Sequence, residues 1–326
     1  MRTRRFIFIS IGVILVLGYM LGPNPSTPKY DQSLPVFNED ILEMESNIVA
    51  KESQHKVKSD NEARIVWNND SVKEVTEYCI VYLHGYSASQ EEGNPTHRNI
   101  AKQLNANLYL SRLAYHGIDT VENMKGITVD ALWQSAKDAL VIGKKLGKKV
   151  ILMGTSTGGT LALILAATYP NDVYAVINMS PNVRLAHPLS FIANNPWGVQ
   201  IGSLVVGGKN QVSDDKRDVF KKYWYPEFRL EAVAQLQELL ETKMNKETFE
   251  AVTCPILNLY YYKNEKEQDD LVSVEAIKSM HAQLKSEKKK LVAVPTVGNH
   301  VMGSHVKSKD LDAVNKEISG FLKEVL

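Results

Sequence analysis

Ser156, His300 and a carboxylate at Asp269 or Asp270 are the residues of this 326-residue chain whose types together suit nucleophilic catalysis. A serine hydroxyl attacks a carbonyl carbon poorly at neutral pH unless a base takes its proton. An imidazole, with an ordinary pKa of about 6.5, takes that proton and returns it to a leaving group. A carboxylate behind the ring fixes the tautomer and offsets the imidazolium charge. Each of the three follows an apolar run that reads as a strand, at 150–153, 256–262 and 291–294. In a parallel sheet the carboxyl ends of the strands share one edge, where such groups meet.

Ser156 stands in Gly154-Thr-Ser-Thr-Gly158, between a strand-like run and residues 161–167, which read as a buried helix. A chain turning directly from strand to helix strains the turn residue and leaves little room for side chains two positions before and after it. Glycine fills both positions. The hydroxyl is then expected at the tip of the turn, with the Thr157 N–H at the helix start facing any charge that develops beside it. The bare pattern is common; the flanking strand and helix give it meaning. A second amide donor is expected from Tyr86, in the loop His84-Gly85-Tyr86-Ser87-Ala88-Ser89 that follows a strand at 78–83. His84 is expected to orient this loop without touching substrate. His116, beside Gly117, reads as structural, and His305 lies farther from the last strand than His300.

The elements that position these groups alternate. Strands at 78–83, 106–110, 150–153 and 173–179 are separated by helical patterns at 96–104, 128–146 and 161–167. A helix at 272–285, a strand at 291–294 and a closing helix at 311–326 complete the series. This order implies an α/β fold with a mostly parallel sheet, crossover helices on both faces, and a hydrolytic domain over 61–326. Residues 63–67 and 71–76 read as a small hairpin through Asn68-Asn69-Asp70. The alternation breaks at 182–253, and an insertion at that place reads as a lid. Its aromatics Phe220, Tyr223, Trp224, Tyr225 and Phe228 suit an acyl pocket and the lid's own small core equally.

A net charge of +1 gives no reason to expect a nucleic-acid partner. Cys79 and Cys254 are too few for a disulfide framework and read as buried thiols. Met1-Arg-Thr-Arg-Arg5 followed by the apolar run at 6–21 is expected to form an uncleaved N-terminal membrane anchor within 1–22, preferred over a cleaved signal. The catalytic domain would then lie on the non-cytoplasmic side. Residues 23–60 read as a proline-rich tether, with Pro23, Pro25, Pro28 and Pro35, and a modest amphipathic helix.

From about Tyr78 onward the sequence resembles the α/β-hydrolase superfamily, in particular its monoacylglycerol lipase and carboxylesterase branch. The resemblance rests on Leu83-His-Gly-Tyr86, Gly154-Thr-Ser-Thr-Gly-Gly159, Asp269-Asp-Leu-Val-Ser273 and Gly298-Asn-His300. It implies the order nucleophile, acid, histidine, and it favours Asp269 over Asp270. The acid of that branch commonly begins an Asp-x-x-Val-Pro pattern, which Asp269 matches except for Ser273 in place of proline. It further implies cleavage of carboxylic esters, lipid esters among them, with no metal or organic cofactor. A serine peptidase or acyltransferase uses the same groups, and a non-catalytic binding module would usually lack one of them.

Overall fold

The apolar runs of the sequence become the strands of a seven-stranded sheet in the computed structural model. The structure describes residues 2–326, and the side chains of residue 10 and of residues 12–326. The strands are β1 (Arg64–Val66), β2 (Thr76–Leu83), β3 (Asn107–Leu110), β4 (Gly147–Thr155), β5 (Val173–Met179), β6 (Asn210–Val212), β7 (Glu227–Arg229), β8 (Ile256–Tyr260), β9 (Tyr262–Asn264), β10 (Glu267–Gln268) and β11 (Lys289–Ala293). The main sheet runs β1-β3-β2-β4-β5-β8-β11, and every pairing in it is parallel except β1 with β3. The pairs β6 with β7 and β9 with β10 form separate two-stranded ribbons.

Strand side chains alternate between faces, so one run feeds two cores. From β2, Cys79, Val81 and Leu83 enter a core shared with the helices Val129–Leu146 and Thr157–Thr168, while Ile80 and Tyr82 enter a second with Thr96–Gln103 and Leu311–Val325. Both faces of the central strands are therefore covered, as a parallel sheet requires. Cys79 and Cys254 are buried free thiols.

Residues 63–67 do not turn back on 71–76. Arg64, Ile65 and Val66 pair instead with Leu110, Tyr109 and Leu108, and Thr76 already belongs to β2. An antiparallel edge partner satisfies the outer ladder of β3, a gain no local turn signal reports.

Residues 29–33 have no regular secondary structure and lie across the helical layer. The amides of Lys29 and Tyr30 donate to the Asp130 carboxylate, Trp133 Nε1 donates to Asp31 O at 2.8 Å, and the Lys137 ammonium, buried, donates to Ser33 O at 2.8 Å. Tyr169 donates to Gln32 O from the elbow helix, and Tyr30 meets Thr242 of the helix Leu230–Lys243.

The N-terminal helix Arg2–Met20 corrects the expected anchor. Among the described residues no helix is long and apolar enough to cross a membrane. The basic flank at 2–5 occupies part of the 19 residues, leaving fewer apolar positions than the roughly 20 a bilayer core needs. The single N-terminal span, the membrane partner it implied and the placement of the catalytic domain beyond a membrane are overturned together. The first apolar side chains of that expected segment lie outside those described. Its carboxyl end rests on the insertion, where Trp197 donates through Nε1 to Gly18 O and through its amide to Pro23 O, both at 3.0 Å.

The helix Ile41–Ser53 is locked to the sheet by charge. Arg112, after β3, donates through Nε and Nη2 to the two Glu52 oxygens at 2.6 and 3.0 Å, and both side chains are buried. Glu52 also accepts the Ala63 amide. Removing one partner of such a pair strands a charge. Glu52→Ala is expected to lower stability by about 3–5 kcal/mol in urea unfolding.

Candidate active site

At the end of β4 the backbone passes straight into the helix Thr157–Thr168, and Ser156 takes φ 53° and ψ −118° between them. Few L-residues occupy that region; a non-glycine residue held there costs about 1–3 kcal/mol and persists when its surroundings over-determine it. Here they do. Ser156 N–H donates to Met179 O of β5 at 3.0 Å, and Ser156 O accepts the amides of Thr160 and Asn182 at 3.1 and 3.0 Å. A Cβ at Gly158 would collide with the Leu83 carbonyl, and one at Gly154 would stand 2.5 Å from Gly158. The helix start therefore presses on the end of β2, and the two glycines are what permit it.

The same close approach brings the loop after β2 beside the elbow. Leu83 is in register with Gly154, so residues 84–86 leave the sheet next to Ser156 and Thr157. His84 directs Nδ1 to Gly85 O at 2.9 Å, and its Nε2 accepts the Leu113 amide at 3.0 Å. Both nitrogens are thereby used on backbone, in keeping with a loop-orienting role. The Tyr86 hydroxyl donates to Ala232 O in the insertion. His116 is fully buried, bonded through Nδ1 to Ala114 O, and burial pushes its pKa down to about 4.

Asp269 and His300 meet although 31 residues separate them. Asp269 Oδ2 lies 2.7 Å from His300 Nδ1, while Oδ1 accepts the amides of Leu271 and Val272 at 3.0 and 3.1 Å. Burial alone would raise the Asp269 pKa, but the imidazole and those amides hold it below the ordinary carboxylate range. Burial alone would lower that of His300, but Asp269, assisted by Glu92 and Asp270, holds it above the ordinary imidazole value. Asp270 itself is exposed, and so is His305, which turns to Asn94 O and Glu91. Among the described residues no hydrogen bond joins the Ser156 hydroxyl to His300.

Residues 140–238 match the model of a family described as putative esterase. A metagenome-derived lipolytic enzyme of the LipS and LipT pair is 17% identical, with a TM-score of 0.66 over 82% of this chain and 99% of that one. Est1E of Butyrivibrio proteoclasticus, bound to ferulic acid, is 19% identical, with a TM-score of 0.55 over 81% of this chain and 94% of that one. The monoglyceride lipase of Saccharomyces cerevisiae is 14% identical, with a TM-score of 0.56 over 81% of this chain and 91% of that one. No curated protein matches the chain.

The chain has the α/β-hydrolase fold. What covers the carboxyl edge of the sheet governs access to Ser156 and His300. Ser156 and His300 are 8% and 4% exposed, so the edge is closed over. Part of the cover is residues 215–228, which are fastened on both sides. Tyr225 N–H donates to Ser87 O at 2.8 Å, Arg217 donates to Val306 O, and Lys307 pairs with Asp215 at 2.6 Å. Phe220, Tyr223 and Trp224 cluster with Ala88, Val301 and Val306, while Tyr225 and Phe228 join the main core. The aromatics thus seal the insertion to the body, rather than forming a core of the insertion alone.

Glu92 lies in this α/β-hydrolase site, and the sequence reading passed it over. It sits in the short 3-10 helix Gln90–Gly93, is 2% exposed, and accepts the Gly85 amide. Its neighbour Glu91 is buried as well, and in sequence the pair looks like an ordinary acidic loop; no spacing marks either as buried. No cluster of three or more metal-ligating side chains occurs among the described residues.

The Asp269–His300 pair has a definite linkage signature. A raised imidazole pKa contributes stability that is fully present below the unfolded value and lost as pH rises through the folded one; the lowered Asp269 pKa contributes stability present above its unfolded value and lost as pH falls through the folded one. NMR titration of His300 is expected to give a midpoint above about 6.5. Asp269→Asn should bring that midpoint down.

Proposed function

We propose that the protein is a serine hydrolase that cleaves carboxylic esters through an acyl-enzyme. The observation that carries this reading is the buried Asp269–His300 hydrogen bond at the sheet edge where the strained Ser156 opens a helix. The esterase family match and the lipolytic and esterase neighbours support the same activity class.

In this reading Ser156 Oγ attacks the ester carbonyl carbon as His300 Nε2 takes its proton. The carbonyl π electrons move onto oxygen, and the amides of Thr157 and Tyr86 accept that charge as hydrogen-bond donors. Collapse of the tetrahedral intermediate breaks the bond to the alcohol oxygen, which leaves with the proton from His300. Water then repeats the attack on the acyl-serine, with His300 again as base and then acid, releasing the carboxylic acid. Asp269 holds the Nδ1 proton throughout, so Nε2 stays free for transfer. The hydroxyl of Ser156 reaches Nε2 on substrate binding, since catalytic hydrogen bonds commonly tighten only in the complex. A closed, aromatic-sealed cover suits an ester with an apolar acyl chain, of the kind monoacylglycerol lipases and carboxylesterases take.

A fluorophosphonate probe on the purified full-length chain tests the activated serine. Labelling is expected for the wild type and not for Ser156→Ala or His300→Ala. On p-nitrophenyl esters, Asp269→Asn should lower kcat by about 10³–10⁴-fold with the chain still folded. Rates should fall at acid pH as His300 gains its proton, with the limb above about 6.5 because its pKa is raised. A folded wild type that neither labels nor hydrolyses any ester would overturn the reading.

A further inference from the structure

The loop that carries the proposed second oxyanion donor is backed by a buried acid. Gly85 N–H donates to Glu92 Oε2, and a Cβ at Gly85 would stand 2.7 and 2.8 Å from the two carboxylate oxygens. The carboxylate is thus pressed flat against the peptide preceding Tyr86. On its other side lies the Trp224 side chain of the insertion, and the carboxylate attracts the imidazolium form of His300. Tyr82 of β2 faces it as well, with its hydroxyl bonded to Thr155. An amide donor is useful only when aimed at the position where charge develops, and an error on the order of 1 Å weakens it severely. Tyr86 has no ladder bond to aim it, since it lies beyond the end of β2.

We infer that Glu92 is a positioning residue of this site: its carboxylate fixes the Gly85–Tyr86 peptide so that Tyr86 N–H faces the oxyanion. The inference rests on the ester-hydrolase reading above. Burial pushes the Glu92 pKa up to about 7, against the opposing pull of the Gly85 amide, His300 and Trp224. The carboxylate therefore ionises near neutral pH, and an imidazolium at His300 favours its charged form.

The test compares wild type, Glu92→Gln, Glu92→Ala and Gly85→Ala on a short p-nitrophenyl ester. Each rate is divided by the concentration of sites titrated with the fluorophosphonate. Glu92→Ala is expected to lower kcat per titrated site at least tenfold, with KM within about twofold. Gly85→Ala should do the same with the acid still present, because the added methyl displaces it. Glu92→Gln keeps an oxygen for the Gly85 amide and should recover part of kcat. It should also move the acid limb of the pH profile downward, since His300, still faced by Asp269 and Asp270, loses one attracting charge. A purely structural Glu92 would instead lower the melting temperature and the number of titratable sites, leaving kcat per site and the pH limb at wild-type values; that result overturns the inference. A wild type inert to both probe and ester would sink the hydrolase reading instead, which keeps the two failures apart.

Discussion

The helix that begins at Thr157 comes so close to the end of β2 that backbone meets backbone, and the geometry of the site descends from that contact. Gly158 lies against the Leu83 carbonyl, Gly154 against Gly158. With no side chains between them, the turn from β4 to the helix needs no intervening loop, and Ser156 alone absorbs the change of direction at φ 53°. The strain is balanced by backbone hydrogen bonds to β5 and to residue 182. Because Leu83 and Gly154 share a register, the loop after β2 leaves the sheet beside the elbow. Pre-organisation of this kind costs the protein during folding rather than during reaction.

Burying charge beside that elbow raises a second problem, which the chain meets with hydrogen bonds rather than water. Asp269 is buried, and two backbone amides plus the imidazole compensate it. Glu92 is as deeply placed but less well compensated, with one backbone amide, and its pKa rises accordingly. The contrast separates the two acids by environment: one stays ionised as a fixed partner of His300, the other responds to what happens around it.

The elbow glycines and the alternating strands were legible in the sequence because each is a local rule with a local residue signature, whereas the preference for Asp269 over Asp270 came from the resemblance alone. The pairing of Asp269 with His300 was legible too, through chain order. What local rules miss is long-range competition. Residues 63–67 look like half of a hairpin, yet the open edge of β3 offers them a better partner. Residues 29–33 look like a tether because prolines flank them, but carbonyl groups at 31–33 find donors on Trp133, Tyr169 and Lys137 more than a hundred residues away. The N-terminal run misled for a different reason: its apolar length falls between the ranges of a core segment and a span, and the arginines that flag orientation also consume helix length. Glu92 was invisible because its contact with the Gly85 amide, not residue type or spacing, distinguishes it from Glu91.

The insertion divides mechanically into a fixed and a free part. Residues 215–228 are tied to the loop at 87, to residues 306 and 307, and to the N-terminal region, where Lys58 donates to the carbonyls of Lys221 and Trp224 and Asn61 to that of Lys222. Opening there would break several hydrogen bonds at once, each costing about 0.5–1.5 kcal/mol. Residues 189–206 are tied by fewer bonds, Trp197 to the carbonyls of Gly18 and Pro23 and Asn194 to Glu238. Phe191, Leu204 and Val205 are exposed, and Gly207 and Gly208 follow the helix Gly198–Val206 with open space around their Cα atoms. Motion that admits a substrate to a nearly closed Ser156 is cheapest in the segment with the fewest contacts to lose.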